Sequence, residues 1–246
     1  MTLKPNNIPR MSRVEIVARA QAKETLLLDF LASGEVWTTP PLIAQLLGLS
    51  LRRAFDQVQR MEREGLVVTE KIELGRGVTL VGITSQGLAY SAHPVAAQTA
   101  RFEPGRVSES FVHHHIDTQR ARLQAEAAGW TWEAGKLLYN KGFLKVPDGL
   151  ATSPKGERVA VETERTIKTP LRYSQIIPQA LKDIKAGRYD KVQYLSPQGR
   201  ADAVSRALHR VQTVKVGGDA VRLADSHWAR FSFSNLIDWP TAGAQK

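Results

Sequence analysis

The sequence contains no cysteine. That absence excludes a disulfide framework, a thiolate zinc site and a cysteine nucleophile together. It has no run approaching the roughly eighteen apolar residues of a membrane span, and the opening MTLKPNNIPRMSR lacks an apolar signal core. Neither membrane insertion nor secretion is expected, and the chain reads as cytoplasmic. No glycine loop has Walker spacing, and the GRG of residues 75–77 follows no βαβ pattern, so ATP hydrolysis has no support. Acidic residues are outnumbered: 24 Asp and Glu face 34 Lys and Arg, a net charge of +10 with His neutral. Such an excess favours polyanionic partners, nucleic acid first and anionic lipid second. Hydrophobic residues are 42% of 246, enough for ordinary cores in a chain long enough for two domains.

The first third reads as helices followed by a hairpin. Ser12 caps a helix from Arg13 to about Ala32, with Ile16, Ala20, Leu27 and Leu31 on its apolar face. Pro40 and Pro41 start a short helix that Gly48 ends. Ser50 caps a third helix, closed by Gly65, with Leu51, Phe55, Val58 and Met61 as its apolar stripe. Arg52, Arg53, Gln57 and Arg60 lie largely off that stripe. LVVTEKIEL and VTLVGIT then flank Gly75-Arg76-Gly77 as a β-hairpin, followed by a helical SQGLAYSA. This is the order of a winged helix-turn-helix, whose third helix enters the major groove and whose wing, here Arg76, touches phosphate. The same fold also serves in dimerisation and protein docking. Residues 1–94 form this unit, and the Pro-containing, aperiodic stretch 95–107 reads as a linker.

Residues 108–246 read as a mixed α/β domain: a helix from Ser108 to Ala128, strands in KLLYN, FLKVPDGLA and ERVAVETER, and a helix disturbed at Pro178. A strand in DKVQYLSP, a helix in ADAVSRALHRVQ and an apolar WARFSF complete it. The expected fold class is therefore α+β.

The densest chemistry lies in VPDGLATSPKGERVAVETERTIKTP. With the reversal centred on Lys155, Asp148 and Glu162 are equidistant from the turn and face each other, with Cβ atoms about 4.5–5.5 Å apart. Glu164 shares their face and Val159 and Val161 point the other way. Three converging carboxylates repel one another, and a divalent cation with a taste for hard oxygen, Mg²⁺ or Mn²⁺, relieves the strain. The competing reading is a solvated strand face whose acids pair with Arg158, Arg165 and Lys168.

Pro147-Asp148, a short hairpin and a hydrophobic strand ending in Glu162-x-Glu164 resemble the PD-(D/E)XK nuclease signature. That resemblance implies a restriction-endonuclease-like domain, Asp148 and Glu162 as metal ligands, and Glu164 where the signature usually carries lysine; Lys168 is the candidate for a migrated lysine. Across both halves, HHHIDTQRARLQAEAAGW, VPDGL, VAVETERTIKTPLRY and VQYLSP resemble the MobC-type plasmid relaxases of the replication-relaxation family. This implies a metal-dependent endonuclease that recognises and nicks a plasmid transfer origin, with His115, Gln119, Glu126 and Tyr173 at accessory positions. The partners are then origin-bearing plasmid DNA, an accessory mobilisation or coupling protein, and a second copy of the chain. The alternatives are a winged-helix regulator or replication factor whose nuclease-like domain is inactive, and a restriction or repair nuclease unrelated to transfer.

Other motifs carry less. His113, His114 and His115 are consecutive on a helix and diverge by about 100° each, which forms no chelating face. They read as a polar helix start that sends at most one histidine toward an active site. Tyr139, Tyr173, Tyr189 and Tyr194 are nucleophiles on paper, without a histidine metal cluster beside them. Trp130, Trp132, Trp228 and Trp239 read as packing, with stacking on an unpaired base as the other role.

Overall fold

The computed structural model describes residues 12–240 and is α+β. The stretch read for a signal core lies, up to Met11, outside the described residues. Ser12 and Glu15 satisfy each other's backbone N–H groups in a capping box, which starts α1 (Arg13–Phe30). A wide turn, Leu31–Glu35, leads to β1 (Trp37–Thr38), and Pro40 opens α2 (Pro40–Leu47). Ser50 Oγ accepts from the Arg53 amide at 3.4 Å at the head of α3 (Leu51–Arg63). β2 (Val67–Ile72) and β3 (Val78–Ile83) form the hairpin, with β1 antiparallel on the other edge of β3, and α4 (Ser85–Tyr90) follows.

Both expected apolar stripes shift. On α3 the core residues are Ala54, Val58 and Met61, whereas Leu51 and Phe55 are 49% and 40% exposed. On α1 burial is confined to the last turn, Leu27, Leu28 and Phe30, because the first half of the helix stands clear of the core with Ile16 exposed.

The second half contains α5 (Glu109–Ala127), β4 (Thr131–Ala134), β5 (Gly149–Thr152), β6 (Arg158–Thr163), α6 (Pro170–Lys185), β7 (Lys191–Ser196) and α7 (Ala201–His209). A hairpin of β8 (Thr213–Val216) and β9 (Asp219–Arg222), which the sequence reading lacked, precedes α8 (Asp225–Trp228) and β10 (Phe231–Asn235). The sheet order is β10-β7-β6-β5-β4, antiparallel from β4 to β6 and parallel from β6 to β10. Ala121 and Ala125 of α5 pack on Val159, Val161 and Leu195 on one face. Tyr173 and Ile177 of α6 and Val204 and Leu208 of α7 pack on Ala160, Val192 and Tyr194 on the other. Pro178 sits within α6 without ending it.

Two expected strands are not strands along their length. KLLYN falls in a 3₁₀ turn, Gly135–Leu138, that buries Leu138, and the strand lies just before it. FLKVPDGLA is extended in a ladder only from Gly149, because the Leu144 and Lys145 amides donate to the buried Asp183 carboxylate instead.

Residues 95–107, expected as a linker, are packed against the first half. Thr99 Oγ1 donates to the Ala32 carbonyl, and the Phe102 amide donates to Ile83 O at 2.8 Å. The Phe102 ring lies on Gly82 so closely that a Cβ there would sit 2.0 Å from it, which only glycine allows. Val112, Ile116 and Leu123 of α5 join the core built by α1, α2 and α3. The first core therefore runs across the expected boundary at residue 94 and ends inside α5.

Candidate active site

β5 and β6 pair Gly149 with Val161 and Thr152 with Arg158, the register expected from the turn. The ladder ends there: the Asp148 amide donates to Val161 O at 3.0 Å and its carboxylate accepts from the Thr163 amide, which sets Asp148 against the end of β6 that carries Glu162. Gly149 is required beside it: the Trp132 indole passes where a Cβ would be, 2.0 Å away. β6 is paired on both edges and covered on both faces, so Glu162 and Glu164 are buried, at 9% and 4% exposure. They sit at the carboxyl end of the parallel pair β6 and β7, where open α/β sheets place their ligands.

Each carboxylate has its own partner. Asp148 Oδ1 lies 3.2 Å from His114 Nε2, and Oδ2 accepts from the Thr163 amide at 2.7 Å and from Thr163 Oγ1 at 2.9 Å. Glu162 is ion-paired with Lys145, and Glu164 with Lys168. Burial alone would raise the Asp148 carboxyl, but the hydrogen bond and charge of His114, the Thr163 amide and Lys145 outweigh it and hold it below the ordinary range. Glu162 goes the other way: burial, with Asp148 repelling it, exceeds what Lys145 gives back. Burial likewise raises Glu164 against Lys168. Lys145 is held above its ordinary pKa because the pull of Glu162, Asp148 and Glu164 exceeds the cost of its own burial.

Lys145 escaped the sequence reading, which did not single out the histidine that reaches the site. Lys145 lies in the irregular stretch before Asp148, and no periodicity points to it. His114 is the member of the histidine run that reaches the carboxylates; its pKa is raised, first by the hydrogen bond to Asp148, against the effect of burial. Tyr173 is fully buried, its OH accepts from the Lys168 amide at 3.2 Å, and burial pushes its pKa up to about 12. Arg165, expected as a partner of the acids, is paired with Asp117 of α5, and Arg158 binds the Gly187 carbonyl.

His115, Gln119 and Glu126 occupy a different place, the junction between the halves. Gln119, fully buried, donates to Glu35 Oε2 at 3.1 Å and to Trp37 O at 2.6 Å and accepts from Thr38 Oγ1 at 2.8 Å. Arg122 reaches Glu35 at 2.9 Å, Ser33 Oγ at 2.7 Å and Glu126 at 2.8 Å. His115 packs its ring on Trp37, with centroids 4.3 Å apart. Burial lowers its pKa further than Glu35 raises it, which favours the neutral ring. The unfolded chain takes up that proton near pH 6.5 while the folded chain resists, so stability falls as pH drops below about 6.5. In His115→Gln the acid-side slope of stability against pH between about 7 and 5 is expected to flatten; His93, lowered by burial, and His114, raised by Asp148, act in opposite directions on what remains. Denaturant melts across that range check it, and an unchanged slope would remove His115 from the account.

On α3 the face opposite the core carries Arg52, Asp56, Gln59 and Arg63, all exposed. Arg53, Gln57 and Arg60 turn instead toward α1, lining a shallow cavity with Ile16 and Lys23, and Arg60 pairs with Glu24 at 3.0 Å. Arg76 is exposed at the hairpin tip.

For a divalent ion the donor chemistry fits: Asp148 and Glu162 both offer hard carboxylate oxygens near the end of β6, and Mg²⁺ commonly takes one or two carboxylates and keeps its waters. Among the described residues no three His, Asp or Glu side chains are arranged to share an ion. Lys145, Lys168 and His114 now supply the positive charge.

No known protein family matches the chain, and no curated protein matches it. Among solved structures, the transcriptional regulator homologue protein from Pyrococcus horikoshii OT3 is similar at 25% identity over 30% of this chain and 79% of that one, with a TM-score of 0.24. No helix among the described residues is long and apolar enough to cross a membrane.

Proposed function

We propose that the chain is a metal-dependent DNA endonuclease: a winged helix over residues 13–90 that positions DNA, joined to a PD-(D/E)XK-like domain that cuts one strand, acting as a relaxase at a plasmid transfer origin. The observation that carries the reading is the gathering of Asp148, Glu162 and Glu164 at the end of β6, with Lys145 and Lys168 paired to the two glutamates. The order α5-β4-β5-β6-α6-β7 around them is the helix–three strands–helix–strand order that the PD-(D/E)XK resemblance implies.

Asp148 and Glu162 would hold Mg²⁺ or Mn²⁺, which when bound polarises the scissile phosphate and lowers the pKa of a water. His114 and Thr163 fix the Asp148 carboxylate in its ionised form. Glu164, whose pKa burial raises, is placed to take a proton from the attacking water. Lys168 neutralises negative charge developing on phosphate. Water is the nucleophile, and the product carries free ends. The decisive experiment is conversion of supercoiled plasmid to open circles, with and without a transfer origin, in Mg²⁺ and in EDTA. No cutting of any such plasmid, or cutting in EDTA, would defeat the proposal.

A second reading, a winged-helix regulator with an inactive nuclease-like domain, is favoured by Glu164, which stands where the signature carries lysine and is bound by Lys168. Sequence-specific DNA binding without cleavage is its outcome in the same experiment.

DNA contact is assigned to the outward face of α3. The double variant Arg52→Glu, Arg63→Glu should weaken duplex binding and lower the slope of log affinity against log salt by about two. Arg53→Glu and Arg60→Glu, turned toward α1, should do less. A filter-binding salt titration measures both, and equal effects from the two pairs would reject this orientation.

A further inference from the structure

Between the two halves lies a cleft of about 720 Å³, and Asp148 and His114 form part of its wall. Two large rings in it are left in solvent: Phe111 is 66% exposed and Tyr139 70% exposed. Nothing in the fold requires them there, since α5 is anchored by Val112 and Ile116 and the 3₁₀ turn by Leu138. Arg101 and Arg106 also line the cleft, with side chains 63% and 79% exposed. Their pairing with Glu103, at 3.9 and 3.4 Å, is between exposed groups and is worth little in water, so both remain able to turn to another anion. Phe111 and His114 line a second pocket of about 210 Å³, whose other wall carries Glu164 and Lys168. The cleft and the carboxylates therefore share a wall.

We infer that this cleft seats a short run of unpaired nucleotides of the DNA strand to be cut, with bases stacked on Phe111 and Tyr139 and backbone phosphates met by Arg101 and Arg106. In a duplex the base faces are already stacked on each other, so exposed rings have nothing to receive; an unpaired strand offers a free face at every base. Arginines beside such rings neutralise the backbone and account for affinity without sequence preference. The cleft has the volume of a small-ligand site rather than that of a double helix. The inference rests on the endonuclease reading, to which it adds that the substrate strand is melted or single-stranded at the site of cutting.

The test uses the full chain in EDTA, so that cleavage plays no part. The probe is a single-stranded oligothymidine carrying 2-aminopurine and a fluorescein label, compared with a duplex of the same length. The wild-type protein should bind the single strand and quench 2-aminopurine through stacking. Phe111→Ala, Tyr139→Ala should lower single-strand affinity at least about tenfold, given a loss of about 1–3 kcal/mol per stacked base, and abolish the quenching. Duplex affinity should stay within about twofold, since α3 and the hairpin carry it. Tyr139→Phe keeps the ring and should bind as wild type; Arg101→Ala, Arg106→Ala should weaken binding and reduce its salt dependence. Both rings are exposed, so the variants should melt at the wild-type temperature, which is checked first. Unchanged single-strand binding in the double alanine variant would overturn the proposal. So would equal loss in Tyr139→Phe, which would assign the effect to the hydroxyl. Single-strand binding by a protein that cuts no plasmid would sink the endonuclease reading and leave the cleft standing; active nicking without single-strand binding would do the reverse.

Discussion

Asp148→Ala, and separately Glu162→Ala, should lower Mg²⁺-dependent nicking at least about a hundredfold while changing duplex DNA affinity by less than about twofold. The two carboxylates are the proposed metal ligands, and a lone carboxylate holds a hydrated Mg²⁺ weakly. Neither touches the outward face of α3 that is assigned to DNA. The two variants differ in what they leave behind. Without Asp148, His114 and the Thr163 amide lose their acceptor. Without Glu162, the Lys145 ammonium is left half-buried beside a thinned negative field, and its pKa should fall from its raised position. For that reason Glu162→Gln, which keeps the shape and a hydrogen-bond acceptor, is the control against misfolding. Thermal melts confirm the fold, open-circle formation reads the activity, and gel shifts read the binding. Full activity in both alanine variants would end the carboxylate mechanism.

A milder loss is expected for Lys145→Ala, because Lys145 acts on the charge of Glu162. With Lys145 gone, Glu162 loses the largest influence holding its pKa down, so the acid limb of the pH–rate profile should move to higher pH. Lys168→Ala acts on Glu164 instead and should lower the rate with less movement of that limb. An identical profile in both lysine variants would mean that the two ion pairs do not play separate roles.

The register of β5 on β6 was legible because hairpin pairing is fixed by the turn: SPKGE supplies the reversal, and Gly149 then meets Val161. Helix starts were legible at Ser12, Pro40 and Ser50, where local capping chemistry decides the outcome. Burial along α1 and α3 was not, since Ala54 rather than Phe55 meets the core only once neighbouring helices choose a side. Lys145 and Asp183 show the same limit more sharply. Asp183, 39 residues after Leu144, takes the amides that would have extended β5 upstream, and no local pattern announces a contact over that distance. His115 and Gln119 carried a visible signal, polar residues one turn apart on a helix, but only the fold shows that they face Trp37 and Glu35 rather than Asp148.

Arg122→Met should be the most damaging change to stability, by about 3–5 kcal/mol. Glu35 is 2% exposed, and Arg122, at 2.9 Å, is its principal counter-charge. Its ionised form is kept by the charge and hydrogen bond of Arg122 and by the Gln119 amide against burial, which acts in the opposite direction. Removing the guanidinium leaves a carboxylate in the junction with Gln119 as its remaining hydrogen-bond donor among the contacts described, and it also strips Ser33 Oγ and Glu126 of a partner and Phe30 of the cation 4.4 Å from its ring centre. For a chain of this length the loss corresponds to a melting temperature lower by roughly 10 °C. The double variant Arg122→Met, Glu35→Leu should recover most of it, because two well-packed apolar side chains commonly equal a buried ion pair while half of one does not. Trp37 lies in the same junction, so intrinsic fluorescence during urea titration follows this region once the other four tryptophans are replaced by Phe. If the single variant melts at the wild-type temperature, Glu35 has found water or a proton, and the junction is wetter than its burial indicates. If the double variant is as unstable as the single one, the loss comes from Arg122 packing on Phe30, and the ion pair is not what joins the two halves.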